Sequence, residues 1–315
     1  MKETLQTVQS LLQNVETVIL GKTDSIKLVL CTWFAGGHVL LEDVPGTGKT
    51  MLARALARSV DIDFKRVQFT PDLLPADVLG TSIYQAQTGQ FRFQAGPIFT
   101  TVLLADEINR ATPRTQSALL EAMAESQVTL EGATRELNPL FFVIATQNPI
   151  EHQGTFPLPE AQLDRFMMKL SLGYPVRESE AQIVKSQNVD HPIHQLRPVI
   201  KPDQIIRIRK LLPQVKVSDE VLDYAIQIVE KTRSCPDLKL GASPRATLAL
   251  IRAAQAYALL DSKPYVRPTH VYRLVKPVLS HRLIPSGEAK LRGQNTEAIL
   301  TRLLAEVPVP VGTPE

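Results

Sequence analysis

Cysteine is scarce in this chain. Its 315 residues contain two, Cys31 and Cys235, in neither a pair motif nor a metal-binding spacing. No disulfide framework is expected, and both residues read as buried thiols in a reducing compartment. Long apolar runs are missing as well: no uncharged stretch reaches the roughly 18 residues that a membrane span requires. In MKETLQTVQSLLQ, Glu3 and several polar residues sit where a signal peptide needs an unbroken apolar core. A cytoplasmic protein with no membrane span is therefore the expectation. Strongly basic tails are absent, and a net charge of +3 gives no general argument for nucleic acid. There is no repeat at fixed spacing and no metal-ion adhesion motif of the form D-x-S-x-S.

What is present is ordinary for a globular chain: 44% hydrophobic and 21% charged residues. At roughly 100–200 residues per domain, the length suggests two domains. Val8, Leu11, Leu12, Val15, Val18 and Ile19 form one helical stripe. Five segments then read as strands: HVLLEDV (38–44), KRVQFT (65–70), TTVLLADE (100–107), PLFFVIATQNP (139–149) and FMMKLSLGYP (166–175). Helical composition separates them at 51–60 and 112–126, where Thr112 suits an N-cap and Pro113 the first turn. Strands alternating with helices predict a parallel sheet sandwiched between helices. Beyond Tyr174-Pro175 the pattern turns helical, at 218–234 with Ser218 as cap, at 243–260 and at 301–306. The end, VPVPVGTPE, is Pro-rich and reads as extended or disordered. Two alternating segments, 81–99 with a turn at Thr88-Gly89 and 126–137 with a turn at Gly132, read as hairpin insertions.

The stretch EDVPGTGKT (42–50) nearly spells the phosphate-binding pattern G-x-x-x-x-G-K-[ST], with Asp43 where the first Gly belongs. Gly46 and Gly48 allow the tight backbone path, Lys49 reaches β- and γ-phosphates, and Thr50 can hold Mg²⁺. The loop and first helical turn, Val44, Pro45, Gly46, Thr47, Gly48, Lys49, Thr50 and Met51, are the candidate nucleotide-binding residues. Aspartate tolerates unusual backbone angles, so Asp43 is expected to shape the approach without destroying the site. In LLADEIN, Asp106 ends an apolar strand and can hold Mg²⁺, and Glu107 can deprotonate an attacking water. Asn148 in ATQNP lies just past a strand end, where a neutral amide can position that water. Arg165 in LPEAQLDRF and Arg245 in GASPRA offer forked cations for phosphate oxygens.

Taken together, GTGKT, LLADEINRA, ATQNP, LPEAQLDRF and GASPRA resemble the MoxR family of AAA+ ATPases, in order from about residue 10 to about 290. The resemblance implies an α/β fold: a P-loop AAA+ five-stranded parallel sheet sandwiched by helices (1–174), followed by a small all-α lid domain (175–306) and a Pro-rich tail (307–315). It implies an ATPase that binds ATP and Mg²⁺, works as a ring, usually hexameric, and remodels or matures protein complexes with a von Willebrand factor A-type (VWA) partner. It assigns Asn148 as sensor 1, Arg245 as sensor 2 and Arg165 as arginine finger, with Arg110 and Arg114 close enough to share or take the finger role. VILGK (18–22) becomes the adenine-contacting stretch through Ile19 and Gly21. The hairpins near 81–99 and 126–137 become the helix-2 insert and the pre-sensor-1 hairpin. Three alternatives stand beside this reading: a metal-chelatase subunit, a non-hydrolysing nucleotide switch and a nucleic-acid-translocating motor. The last draws on the basic stretch 263–293 with Tyr265 and Tyr272; a lid surface facing phosphates or the next subunit is the preferred reading of it.

Overall fold

The computed structural model describes residues 2–149, 154–187 and 191–310. Its strands in chain order are β1 (Val39–Glu42), β2 (Phe64–Gln68), β3 (Gly80–Gln85), β4 (Gln90–Ala95), β5 (Val102–Asp106), β6 (Gln127–Leu130), β7 (Ala133–Glu136), β8 (Phe142–Gln147), β9 (Met168–Leu170), β10 (Leu238–Leu240) and β11 (Ile284–Pro285). β10 and β11 pair antiparallel, so the C-terminal segment is mostly helical and not all-α as expected; strands this short carry too few residues for a period-two pattern to show in the sequence. Its helices are α1 (Lys2–Glu16), α2 (Thr23–Phe34), α3 (Lys49–Val60), α4 (Pro75–Leu79), α5 (Pro113–Glu125), α6 (Glu160–Leu163), α7 (Arg177–Gln187), α8 (Pro192–Gln195), α9 (Pro202–Leu211), α10 (Asp219–Ser234), α11 (Pro244–Leu260), α12 (Pro268–Leu279), α13 (Gly287–Leu291) and α14 (Thr296–Glu306).

Five strands form one parallel sheet in the order β2-β5-β8-β1-β9. These are the five segments read as strands in the sequence. Successive strand residues point to opposite faces, and the sheet divides the interior accordingly. Val39, Leu41, Val102, Leu104, Phe142 and Ile144 join a larger core, whereas Leu40, Leu103, Ala105, Val143 and Ala145 join a smaller one. The smaller core is closed by Leu119, Leu120 and Met123 of α5 and by Val78 and Leu79 of α4. The larger core takes in α1, α2 and α3 and runs without a break into α9, α10, α11, α12 and α14. Apolar packing therefore crosses the turn at 171–176 that separates the α/β and helical segments of the chain. Alanines at 246, 249, 253, 254, 256 and 258 keep α11 slim. α2 comes so close to it that Cys31 Sγ lies 3.0 Å from the Ala253 carbonyl.

Two antiparallel hairpins leave the sheet. β3 and β4 pair Tyr84 with Phe91, and β6 and β7 pair Leu130 with Ala133 around Glu131 and Gly132, both with positive φ. That backbone suits a two-residue hairpin turn. Helix starts follow the expected residues with one difference. Ser218 Oγ accepts from Val221 N (3.4 Å). Thr112 stands at the N-cap of α5, but its hydroxyl meets Thr115 Oγ1 (3.3 Å) instead of a backbone amide. The Pro-rich tail falls partly beyond view: Val307 is buried, and 311–315 lie outside the described residues. Among the described residues, no helix is long and apolar enough to cross a membrane.

Candidate active site

β1 delivers the chain to the loop 43–48, and α3 leads away from it. Gly46 (φ +86°) and Gly48 (φ +91°) hold left-handed backbone with open space where a Cβ would stand, so conformation, not crowding, demands glycine. The first turn of α3 brings amide N–H groups without helical partners, and the positive end of its dipole, to the loop. Lys49 Nζ donates to the carbonyls of Asp43 (3.0 Å) and Val44 (2.8 Å). Burial pushes its ammonium below the usual lysine range, while the Asp43, Asp106 and Glu107 carboxylates pull it back up.

A cavity of about 410 Å³ opens over this loop. It is lined by Asp43 and Pro45 to Met51, by Asp106 and Glu107 at the end of β5, by Thr146, Gln147 and Asn148 at the end of β8, and by Arg66 and Gln68 of β2. The strand ends converge here because parallel strands open their ligand crevice at their C-terminal edge. Thr146 Oγ1 donates to Asp106 Oδ1 (2.5 Å) and accepts the Glu107 N–H (2.8 Å). Arg66 donates to Asp106 Oδ2 from Nε (3.0 Å) and Nη2 (2.6 Å). Glu107 has left-handed backbone (φ +56°, ψ +49°), a strain of order 1–3 kcal/mol for a residue with a side chain. Its Oε2 accepts from Gln68 Nε2 (2.6 Å) and Arg110 Nη1 (2.9 Å).

The donor set suits a hard cation. Mg²⁺ prefers oxygen ligands and is usually held by one or two protein side chains plus substrate phosphates. Thr50 and Asp106 both line the cavity and supply oxygen, so the residues present fit that ion.

Of the remaining sequence candidates, Asn148 lines the cavity and is buried, and Val44 takes part through its carbonyl. Ile19 is buried in the larger core, and Gly21 (φ +70°) packs against the Ser179 side chain; neither lines the cavity. Arg165 and Arg245 stand outside it as well. Arg165 Nη1 donates to the Leu120 carbonyl (2.7 Å), and Arg245 Nη1 lies 3.7 Å from Asp164 Oδ2. Asp164 also accepts from the buried Arg282 through Nε (2.6 Å). Arg282 further donates to the carbonyls of Phe166 (2.8 Å), Met167 (3.1 Å) and Val278. Within the basic stretch 263–293, then, Arg282 is spent inside the protein. Arg292 pairs with Asp237, and Arg273 donates to the Tyr257 hydroxyl.

Sequence reasoning missed Arg66, Gln68, Thr146 and Gln147. Gln68, Thr146 and Gln147 carried a readable signal, since polar residues at the C-terminal ends of parallel strands point to the crevice. Arg66 carried none, because an arginine within KRVQFT reads as the solvent side of an edge strand.

Comparison with known proteins agrees with this geometry. The family model "ATPase family associated with various cellular activities (AAA)" matches residues 38–168, and the AAA lid domain matches 230–303. The chain is 50% identical to the uncharacterized protein YeaC of Bacillus subtilis, covering 95% of this chain and 93% of that one. It is 38% identical to Chaperone MoxR1 of Mycobacterium tuberculosis (97% and 83%) and 32% identical to Protein MoxR of Paracoccus denitrificans (93% of each). A crystal structure from Cytophaga hutchinsonii superposes with a TM-score of 0.91 at 38% identity, over 98% of this chain and 96% of that one. Phosphate loop, acidic strand end, parallel sheet and full-length relatives converge on one conclusion: the chain belongs to the MoxR family of AAA+ ATPases.

Proposed function

We propose that this ATPase uses Mg²⁺, acts as a ring and couples hydrolysis to the remodelling of protein complexes. One observation carries the catalytic part. Glu107, Asp106 and Asn148 face the phosphate loop across a single cavity. In this reading Lys49 and the first amides of α3 bind the phosphates, and Thr50 and Asp106 hold the metal. Bound there with nucleotide, Mg²⁺ would neutralise phosphate charge. Glu107 takes a proton from the attacking water, and Asn148 orients that water. Gln68 and Arg110 fix the Glu107 carboxylate until it is needed. The Glu107→Gln variant is expected to bind ATP normally and to lose turnover by about 10²-fold or more. Normal turnover would remove Glu107 as the base. Lys49→Ala should lose nucleotide binding or turnover.

The ring reading is supported by the position of Arg165 outside its own cavity. A finger acting on the neighbouring subunit contributes roughly 10³–10⁵ in rate. Arg165→Ala should keep nucleotide affinity and lose turnover, and mixing it with Lys49→Ala chains should restore part of the activity. Absence of rescue would favour a role in cis or another arginine. Arg245 serves as sensor 2 in this scheme, and Ile19 and Gly21 contact adenine. The partner reading rests on the family resemblance and on a relative named as a chaperone. A VWA-domain protein is expected to bind the ring and change its turnover. A nucleic-acid groove is not favoured, because Arg282, Arg292 and Arg273 of the basic stretch bond within the chain. Tight DNA binding that falls steeply with salt and raises turnover would reverse that preference.

A further inference from the structure

Asp43 replaces the first glycine of the phosphate-loop pattern, and its side chain has a distinct set of partners. The residue is buried, 5% exposed. Its Oδ1 accepts from Ser171 Oγ (2.7 Å) and Gly173 N (3.0 Å), and its Oδ2 from Leu172 N (2.6 Å). Residues 171–173 follow β9 directly and begin the linker to α7. Gly173 takes left-handed backbone (φ +63°), so consecutive amides converge on one point, a concavity suited to an anion. The carboxylate that fills it comes from the phosphate loop itself.

The backbone of Asp43 reaches in two further directions. Its N–H donates to the Gln147 carbonyl at the end of β8 (3.2 Å), beside Asn148. Its carbonyl accepts from Lys49 Nζ. One residue thus joins the phosphate-loop lysine, the end of β8 next to Asn148, and the linker into the helical segment. The same linker is held on its other side, where Lys22 Nζ donates to the Tyr174 carbonyl (2.5 Å).

We propose that Asp43 is a positioning residue that couples occupancy of the phosphate loop to the placement of the linker 171–174, and through it to the helical segment. A triphosphate draws the Lys49 ammonium away from the Asp43 and Val44 carbonyls. The 43–44 peptide is then released on the loop side while its carboxylate stays bound to the linker. A glycine at this position makes the loop but not the connection. The inference rests on the phosphate-binding role proposed above for Lys49.

The test uses the full chain with Asp43→Gly, Asp43→Asn and Ser171→Ala, each checked for folding by circular dichroism. Three quantities are read: the Kd for a fluorescent ATP analogue, kcat against KM, and nucleotide-dependent hydrogen exchange across 171–179. Asp43→Gly is expected to keep Kd within about threefold, to lower kcat about tenfold or more, and to abolish the nucleotide-dependent change in exchange. Asp43→Asn should recover only part of it, because an amide in the same shape cannot accept from all three donors. Ser171→Ala, which leaves the loop untouched, should shift kcat in the same direction by less. The proposal is overturned if Asp43→Gly retains both kcat and the exchange response, or if a folded Asp43→Gly loses nucleotide binding outright, which would make Asp43 a determinant of loop shape alone. If Asp43→Gly does not fold, unchanged kcat and exchange in both Asp43→Asn and Ser171→Ala overturn it equally. Failure of the underlying reading looks different: Lys49→Ala would then bind and turn over nucleotide like the unmodified chain.

Discussion

His38 is buried just before β1, where its Nδ1 accepts the Val143 N–H (3.0 Å) and its Nε2 faces the Met123 carbonyl (3.3 Å). Burial pushes its imidazole down to about 4, and burial beside Arg282 pushes His281 down to about 3. An unfolded histidine titrates near 6.5. Above that pH both states are neutral and neither residue makes stability depend on pH. Below it the unfolded chain gains a proton that the folded chain refuses, so stability is lost as pH falls from about 6.5 toward 4, at about 1.4 kcal/mol per pH unit for each group. His38→Gln is expected to be less stable at pH 7 yet to show a shallower loss between pH 6.5 and 4.5 in urea titrations. An unchanged slope would mean that the folded chain accepts the His38 proton. None of this was visible in the sequence, where a histidine next to a strand is one polar residue among many. Lys49, Thr50, Asp106 and Glu107 were legible because their chemistry requires fixed types at fixed spacing. The ion-pair partners of Arg66 (Asp106) and Asp164 (Arg245 and Arg282) lie far along the chain.

At the scale of elements, strands were legible and several helices were not. β1, β5 and β8 are short apolar runs, as burial on both faces requires, whereas β2 at the sheet edge leaves Lys65, Arg66 and Gln68 exposed. α2 escaped notice because Ile26, Val29, Leu30, Cys31, Trp33 and Phe34 are buried around most of its circumference and leave no clean stripe. α12 was hidden by its charge: Arg273 and Lys276 made 263–293 read as a basic surface, although Val271, Leu274, Val275 and Val278 of that helix are buried. The end of α12 is docked by Arg282, whose side chain reaches Asp164, Phe166 and Met167 just before β9. Arg282→Ala should cost about 3 kcal/mol, since it strips a buried cation from several acceptors and leaves Asp164 short of a partner. Guanidinium titration would measure the loss, and a change below about 0.5 kcal/mol, the level of an ordinary surface substitution, would contradict the docking role. The two hairpins touch each other: Ser82 Oγ donates to Glu131 Oε2 (2.5 Å), and Arg135 stands 3.9 Å over the Phe93 ring. Tyr84 and Phe91 are 56% and 72% exposed at one end of this pair. Phe91→Ser is therefore expected to move the unfolding midpoint by less than about 0.5 kcal/mol.

For the whole molecule, the finger proposed to come from a neighbour would make turnover a property of the assembly. Turnover per chain should fall on dilution below the dissociation constant of the assembly, and constant turnover at every concentration would argue for a complete site in each chain. The fold class was legible because alternating strands and helices admit few arrangements. The continuity of the larger core was not, since contacts such as α2 with α11 join residues over 200 positions apart. Cys31 lies in that seam, fully buried, and burial raises its thiol pKa above the usual range. A thiol alkylates as the thiolate, so a maleimide can reach this one only after α2 and α11 part. The rate of labelling in the absence of denaturant would then clock the opening of the seam, and adding ATP would show whether nucleotide slows it.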